Sequence, residues 1–419
     1  MGLYLVGATC SRQFWVACAL ALLSLDASGC GDDGSTQGPA DSSATYDDPL
    51  YMLMSNVYLD EDRTVYLVPM PSLDVDEVSL GDGREFSGVA NFEAIGGRLL
   101  VSSGESPTIT EYVISDDFAW EEGETVSFGE FPLEDNANFF YQYIVDEHHM
   151  YMPFDGYKRI VWDPSDLEID TVMDDTTLAP EIDGLPIEAA GNRAGIRYEG
   201  AVMMPFFYHD ENWFRFAPVS HIAVYDPKTH EEERVIEAPC AGLAIASQDE
   251  DGNTYFSSWD YGPLLALYGM GPAPCTARVT PERELDAAFT SDFTEWTGGR
   301  YVLNFVYIRD GWGLANVCLV ENFDIAADAT EIDPDVQEAV WNDENWQLWK
   351  IDLANERAEP FEQVDVKSSG WGSVKVDGRS FMTVPYEDGG RTKVYELDDE
   401  GNATEHMDVE GDASFIRVR

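Results

Sequence analysis

A chain of 419 residues could hold two domains, yet all-β folds commonly exceed that rule as one unit, so length leaves the domain count open. Hydrophobic residues make up 44% of it, with 20 Tyr, 21 Phe and 11 Trp, enough for a large core and enough to exclude global disorder. Lys+Arg number 24 against 80 Asp+Glu, and the net charge of −56 repels nucleic acid and anionic headgroups and excludes both as direct partners.

The first apolar run, Phe14 to Leu23, is too short to span a bilayer comfortably and is followed by the small residues Ala27-Ser28-Gly29 before Cys30. That order resembles a bacterial lipobox, departing from it in having Ala27 where leucine is commonest and only Arg12 as a basic residue ahead of the apolar core. The expected organisation is a lipoprotein signal peptide over 1–29, a diacylated Cys30 that anchors the chain to a membrane, a flexible Gly/Ser/Asp tether over 30–50 and one folded domain over 51–419. The expected address is the cell envelope, at the outer membrane or facing the periplasm. Among the cysteines, Cys10 and Cys18 leave with the signal, and Cys240 and Cys275 are expected to pair in an oxidising compartment, which leaves Cys318 as a buried thiol. No Cys or His spacing resembles a zinc site.

From Tyr51 onward the chain reads as strand after strand, in a hairpin grammar that recurs. Its clearest copy is His221 to Ile236, where Asp226-Pro227 fits a type I turn and Ile222, Val224, Val235 and Ile236 suit a pleated, half-buried surface. Seven copies can be anchored on Val65, Thr110, Val161, Val224, Ala277, Trp349 and Val394, at separations of 45, 51, 63, 53, 72 and 45 residues. Propeller blades run about 40–50 residues with loops inserted freely on the faces, so the period predicts a single all-β propeller, seven-bladed, with the 63- and 72-residue intervals leaving room for an eighth blade. A further strand precedes most hairpins, at Gly97–Val101, His149–Met152, Ala201–Phe206, Asn253–Phe256, Tyr301–Phe305 and Arg379–Val384. The final strand, Ser414–Val418, is expected to complete the first blade and close the ring, leaving no free sheet edge. Helix signals are confined to Asp333–Trp341, with Pro334 in its first turn, and Gly262–Pro272 reads as a second, apolar loop insertion.

The runs Ser103-Gly104-Glu105-Ser106-Pro107-Thr108-Ile109-Thr110-Glu111-Tyr112, Phe154-Asp155-Gly156 leading to Ile160-Val161-Trp162-Asp163-Pro164, and Ala273-Pro274-Cys275 resemble the MxcI-like lipoproteins of myxobacteria, over most of the chain beyond the tether. The resemblance implies a cell-envelope lipoprotein linked to iron–siderophore uptake. It implies no catalytic residue.

Among constellations that carry chemistry, Asp146-Glu147-His148-His149 is the richest in metal-ligand types, but adjacent residues of a strand point to opposite faces, so a structural or turn role is expected. Phe206 to Phe216 is an aromatic stretch suited to stacking on a planar ligand, and Asn136 to Tyr143 combines aromatics with amides. Tyr208, Trp213, Arg215, Asn136 and Asn138 are therefore the expected ligand-binding residues, with Arg193 and Arg197 near Arg215 in sequence. Catalytic elbows, phosphate-cradling loops and dinucleotide fingerprints are missing, and carboxylates are too numerous for any pair to stand out. No catalytic residue and no cofactor is expected, and the metal question stays open. The leading reading is a tethered propeller that binds a ligand or partner, a ferric siderophore or an outer-membrane receptor. The alternatives are a propeller enzyme of the lactonase or quinone-dependent oxidoreductase kind, and an envelope scaffold.

Overall fold

The computed structural model describes Leu22–Leu23 and residues 49–419 apart from short internal segments, the longest of them 134–141. Leu22–Leu23 (β1) pairs in parallel with a strand of the last blade. The repeat expected from the sequence is an antiparallel blade of three or four strands, and seven blades, six of them built on four strands and one on three, form a ring.

Tyr51–Leu59 (β2), Asp62–Met70 (β3) and Arg84–Ser87 (β4) are the outer three strands of the first blade. The second runs Ala90–Ile95 (β5), Arg98–Ser103 (β6), Thr108–Ile114 (β7) and Trp120–Ser127 (β8), and the third Tyr143–Ile144 (β9), Met150–Phe154 (β10), Lys158–Asp163 (β11) and Glu168–Asp174 (β12). In the fourth, Glu181–Ile182 (β13) leads into Leu185–Ala189 (β14), which with Ile196–Tyr198 (β15) pairs along Ala201–Tyr208 (β16), followed by Ser220–Tyr225 (β17) and Glu232–Ala238 (β18). The fifth has three strands, Leu243–Gln248 (β19), Thr254–Ser258 (β20) and Thr276–Val279 (β21), with single bridges to Ser291 and Leu285 in place of a fourth. Val302–Arg309 (β22), Trp312–Cys318 (β23), Trp346–Asp352 (β24) and Arg357–Pro360 (β25) make the sixth, and Gly372–Val376 (β26), Arg379–Tyr386 (β27), Arg391–Leu397 (β28) and Ala403–Glu410 (β29) the seventh. Asp412–Arg417 (β30) then pairs with β2 as the innermost strand of the first blade, the closure expected from the sequence.

All seven anchor residues fall on the third strand of their blades. The preceding strands are second strands in five cases, but Tyr301–Phe305 belongs to the innermost β22, and the true second strand of that blade, β23, was not expected. No eighth blade fills the long intervals. They hold the divided inner strand of the fourth blade and the short helices Thr294–Thr297 (α2) and Pro334–Asn342 (α3), while Gly262–Leu267 (α1) lies in the 53-residue interval before Ala277.

The outer hairpins explain why the grammar repeats. Asp163, Asp226, Asp352 and Asp398 each accept a backbone N–H two to four residues on, from Ser165, Lys228, Asn355 and Asn402 at 2.7–3.1 Å. The turn then passes through a left-handed residue, Leu167, His230, Glu356 or Gly401, at φ of 51–81°.

Each strand is too amphipathic to stand alone, and the blades bury their faces against one another. Separate apolar clusters fill all seven interfaces, for example Leu53, Phe381 and Phe415 between the first and seventh blades and Tyr151, Val161, Met204 and Tyr225 between the third and fourth. Outermost strands carry the acids: Glu121, Glu122 and Glu124 of β8 and Glu168 and Asp174 of β12 are exposed.

Candidate functional site

Because strands alternate in direction, the connections from second to third strand leave on the same face as those from blade to blade. Three long ones lie side by side there: 209–219 in the fourth blade, 259–275 in the fifth and 319–345 in the sixth. The Cys240–Cys275 disulfide ties the connection entering the fifth blade to that blade's own insertion across a sequence separation of 35, as expected. Buried hydroxyls fix both ends of the staple. Ser220 Oγ donates to the Cys240 carbonyl at 2.8 Å, and Ser258 Oγ donates to the Ala241 carbonyl at 2.7 Å and accepts the Cys275 N–H at 3.1 Å.

The two insertions that carry α1 and α3 meet in one apolar cap containing Leu264, Leu303, Val340 and Trp346. Tyr301 Oη donates to the Ala266 carbonyl at 3.2 Å, and Tyr268 Oη accepts the Asp333 N–H at 3.0 Å. Cys318, the free thiol, is buried beneath this cap, and burial pushes it up to about 12, which makes it chemically inert near neutral pH.

Beside the staple, Phe207, Phe216, Ala241, Gly242, Trp259, Leu265 and Pro272 line an apolar cleft. Its enclosed space is about 10 Å³, room for a single water-sized group, so a larger ligand would lie on it rather than in it. Gly242 is needed at this point, since its φ is +62° and the Phe216 ring stands 3.5 Å from where a Cβ would project. His209 continues the aromatic surface, stacked on Phe216 at 5.7 Å. Its two ring nitrogens are engaged by the Asp210 carbonyl, at 2.7 Å from Nδ1, and by the Glu188 carboxylate at Nε2, so the imidazole is held fixed behind Phe216. Across the tip of the loop the Asp210 N–H donates to the Arg215 carbonyl at 3.0 Å, and Asp210 Oδ1 accepts the Arg215 N–H at 3.0 Å. The Arg215 side chain is exposed, and its guanidinium has no ion-pair partner among the described residues.

Tyr208 requires a correction. It was expected to stack on a ligand, but it ends β16 with none of its surface exposed, its hydroxyl 2.6 Å from His221 Nδ1 and its ring among the apolar residues between the third and fourth blades. Every residue of β16 is buried, so the run that looked like a loop is a central strand as far as Tyr208. Trp213, Asn136, Asn138, Arg193 and Cys30 lie outside the described residues. The end of the second expected stretch is described, and there Tyr143 donates its hydroxyl to the Ala190 carbonyl from the innermost strand β9.

Residues 145–149 form the turn between β9 and β10, in keeping with the turn role expected for the Asp-Glu-His-His run. His148 Nδ1 is 2.9 Å from Ser165 Oγ, and His149 Nδ1 is 2.9 Å from Asp146 Oδ1. Among the described residues no three His, Cys, Asp or Glu side chains converge as a metal centre.

Along the inner strands, sequence reasoning missed a set of polar side chains. Asn91 Nδ2, Gln142 Oε1, Ser373 Oγ and Ser414 Oγ are buried atoms without a hydrogen-bond partner among the described residues, and they sit on, or one residue before, β5, β9, β26 and β30. Such atoms are costly unless water or a ligand satisfies them. Lys375 lies two residues along β26 from Ser373, over the Tyr307 ring, and burial draws it down to about 8 despite the Glu250 carboxylate. None of these residues sits in a recognisable motif, and only the closed ring brings the seven inner strands together.

No family model and no curated protein matches the chain. Among solved structures, the periplasmic gluconolactonase PpgL of Pseudomonas aeruginosa is similar over 88% of this chain and 100% of its own, at 12% identity and a TM-score of 0.53. A quinonprotein alcohol dehydrogenase-like protein of Bacteroides thetaiotaomicron covers 89% and 92% at 11% identity and a TM-score of 0.43, and AztD of Citrobacter koseri 88% and 98% at 11% and 0.41. At such identities the likeness to PpgL shows the propeller fold and leaves activity aside.

Proposed function

We propose that this chain is a lipid-anchored envelope protein whose propeller binds an anionic, planar ligand, a ferric siderophore, on the stapled face of the fourth to sixth blades. The observation that carries the reading is Arg215. Most described arginines are held by carboxylates, from Arg84–Glu122 to Arg419–Asp116, whereas Arg215 presents its charge on the loop that carries Phe216 into the cleft, which Phe207 lines from the end of β16. An exposed cation beside aromatic faces suits an aromatic anion, which a net charge of −56 would otherwise turn away. The disulfide supports residence in an oxidising compartment, and the Ala27-Ser28-Gly29-Cys30 sequence supports the anchor.

Tryptophan fluorescence during titration with a ferric catecholate siderophore tests the ligand. Quenching at micromolar ligand that weakens in Arg215→Ala and Trp213→Leu is expected, and quenching that survives both unchanged removes the site. Membrane fractionation tests the anchor separately, since Cys30→Ser is expected to release the protein. A variant that remains membrane-bound refutes lipidation without touching the binding site.

A further inference from the structure

We propose that His149 and His230 form a two-imidazole site for a transition-metal ion, Cu²⁺ or Zn²⁺, bridging the third and fourth blades. The two residues are 81 positions apart, His149 in the inner turn of one blade and His230 in the outer hairpin of the next. The fold brings their rings to 4.6 Å, centre to centre, with planes inclined at 52°. Two imidazoles that bind one ion through Nε2 at about 2.0–2.1 Å and a near-tetrahedral angle hold their ring centres about 5 Å apart, a separation close to the one observed.

The hydrogen bonds select the nitrogen that is left. His149 Nδ1 is 2.9 Å from Asp146 Oδ1, and His230 Nδ1 is 3.0 Å from the Tyr151 hydroxyl. Nε2 of each ring has no hydrogen-bond partner among the described residues. Anchoring one imidazole nitrogen to a carboxylate or hydroxyl while presenting the other is how outer groups orient metal-ligating histidines. His230 takes a left-handed φ of 59°, the position at which the outer hairpins turn, and this aims the side chain back at the preceding blade.

Charged groups of both signs face the pair, Arg159 on one side and Asp146 and Asp170 on the other. Arg159 is the opposing charge, and its guanidinium is taken by Asp175 and by the His230 carbonyl. Nearly a third of the His149 side chain is exposed, at 31%, so an ion reaches the pair from solvent. No third His, Cys, Asp or Glu joins among the described residues, which leaves water to complete the coordination and makes the expected affinity micromolar rather than tighter.

Calorimetric titration of the purified full-length protein with CuCl₂, ZnCl₂ and CaCl₂ tests the proposal. One Cu²⁺ per chain is expected at micromolar metal, with Zn²⁺ weaker, following the general order of affinities. Binding should vanish in His149→Asn and in His230→Asn, asparagine being tolerated at a left-handed position. It should weaken about tenfold in Asp146→Ala, which removes the outer anchor, and stay unchanged in His148→Asn, where the ring is engaged with Ser165. Melting temperatures without metal confirm that the variants fold. The site is refuted if Cu²⁺ binding survives in His149→Asn, if Ca²⁺ competes as well as Cu²⁺ and so reports the acidic coat, or if no binding occurs at millimolar metal.

Discussion

Arg159 and Asp175 are 1% and 2% exposed and pair between the third and fourth blades, with the guanidinium 3.9 Å from the Tyr225 ring centre and the Tyr225 hydroxyl 3.0 Å from Asp175 Oδ2. Removing one member strands a buried charge, so Arg159→Leu should cost about 3–5 kcal/mol in urea unfolding, and the double change Arg159→Leu with Asp175→Leu should cost less than the single one. Two histidines set a pH dependence. His221 is held below its ordinary value by burial, and His230 by burial and then by the neighbouring His149 and Arg159. Unfolded histidine takes its proton near about pH 6.5 and the folded ones only below that, so in this window the unfolded chain holds more protons and stability falls as pH falls. Melting should therefore drop between about pH 7.5 and about pH 5.5, and His221→Gln should flatten that slope. Tyr208 shows why a binding residue was hard to read at this scale: Met203-Met204-Pro205-Phe206-Phe207-Tyr208 is apolar throughout, so no alternation marks where the strand ends and the exposed loop begins.

At the scale of elements, the third strands were legible because each combines β-branched or aromatic residues with an Asp-headed or Pro-containing turn, as at Asp163-Pro164 and Asp226-Pro227. β23 was not, because Trp312 to Cys318 is buried along its whole length and shows no period of two. The site was less legible still, since His149 and His230 become neighbours only through blade stacking. β30 is the strand on which closure depends, with Ala413 and Phe415 fully buried against the first and seventh blades. Phe415→Ala should cost about 3–5 kcal/mol, and deletion of residues 414–419 should abolish cooperative melting. The staple should contribute about 3–4 kcal/mol by restricting the unfolded chain. Thiol labelling of the unfolded, unreduced domain over 51–419 should find Cys318 alone reactive, and three reactive thiols would contradict the pairing.

Over the whole molecule, the charge of −56 is carried largely by outer strands and hairpin turns that face solvent, so it costs folding through mutual repulsion. Raising ionic strength from about 0.01 M to about 1 M shortens the screening length from about 30 Å to about 3 Å, and the melting temperature should climb across that range. A fall would mean that the ion pairs at the blade edges outweigh the repulsion. The closing strand has a further consequence. Blades two to seven assemble from neighbours in sequence, whereas the first joins segments 356 positions apart, as at Asn56 and Asp412. Local blades can form early while this seam waits for the most distant contact in the chain. Until it is made, β2 offers an open edge and the C-terminal segment is a strand without a sheet, free to fill the same place in a second molecule. Exchange of that one strand would yield a dimer in which every blade is native and only the ownership of the seam has changed.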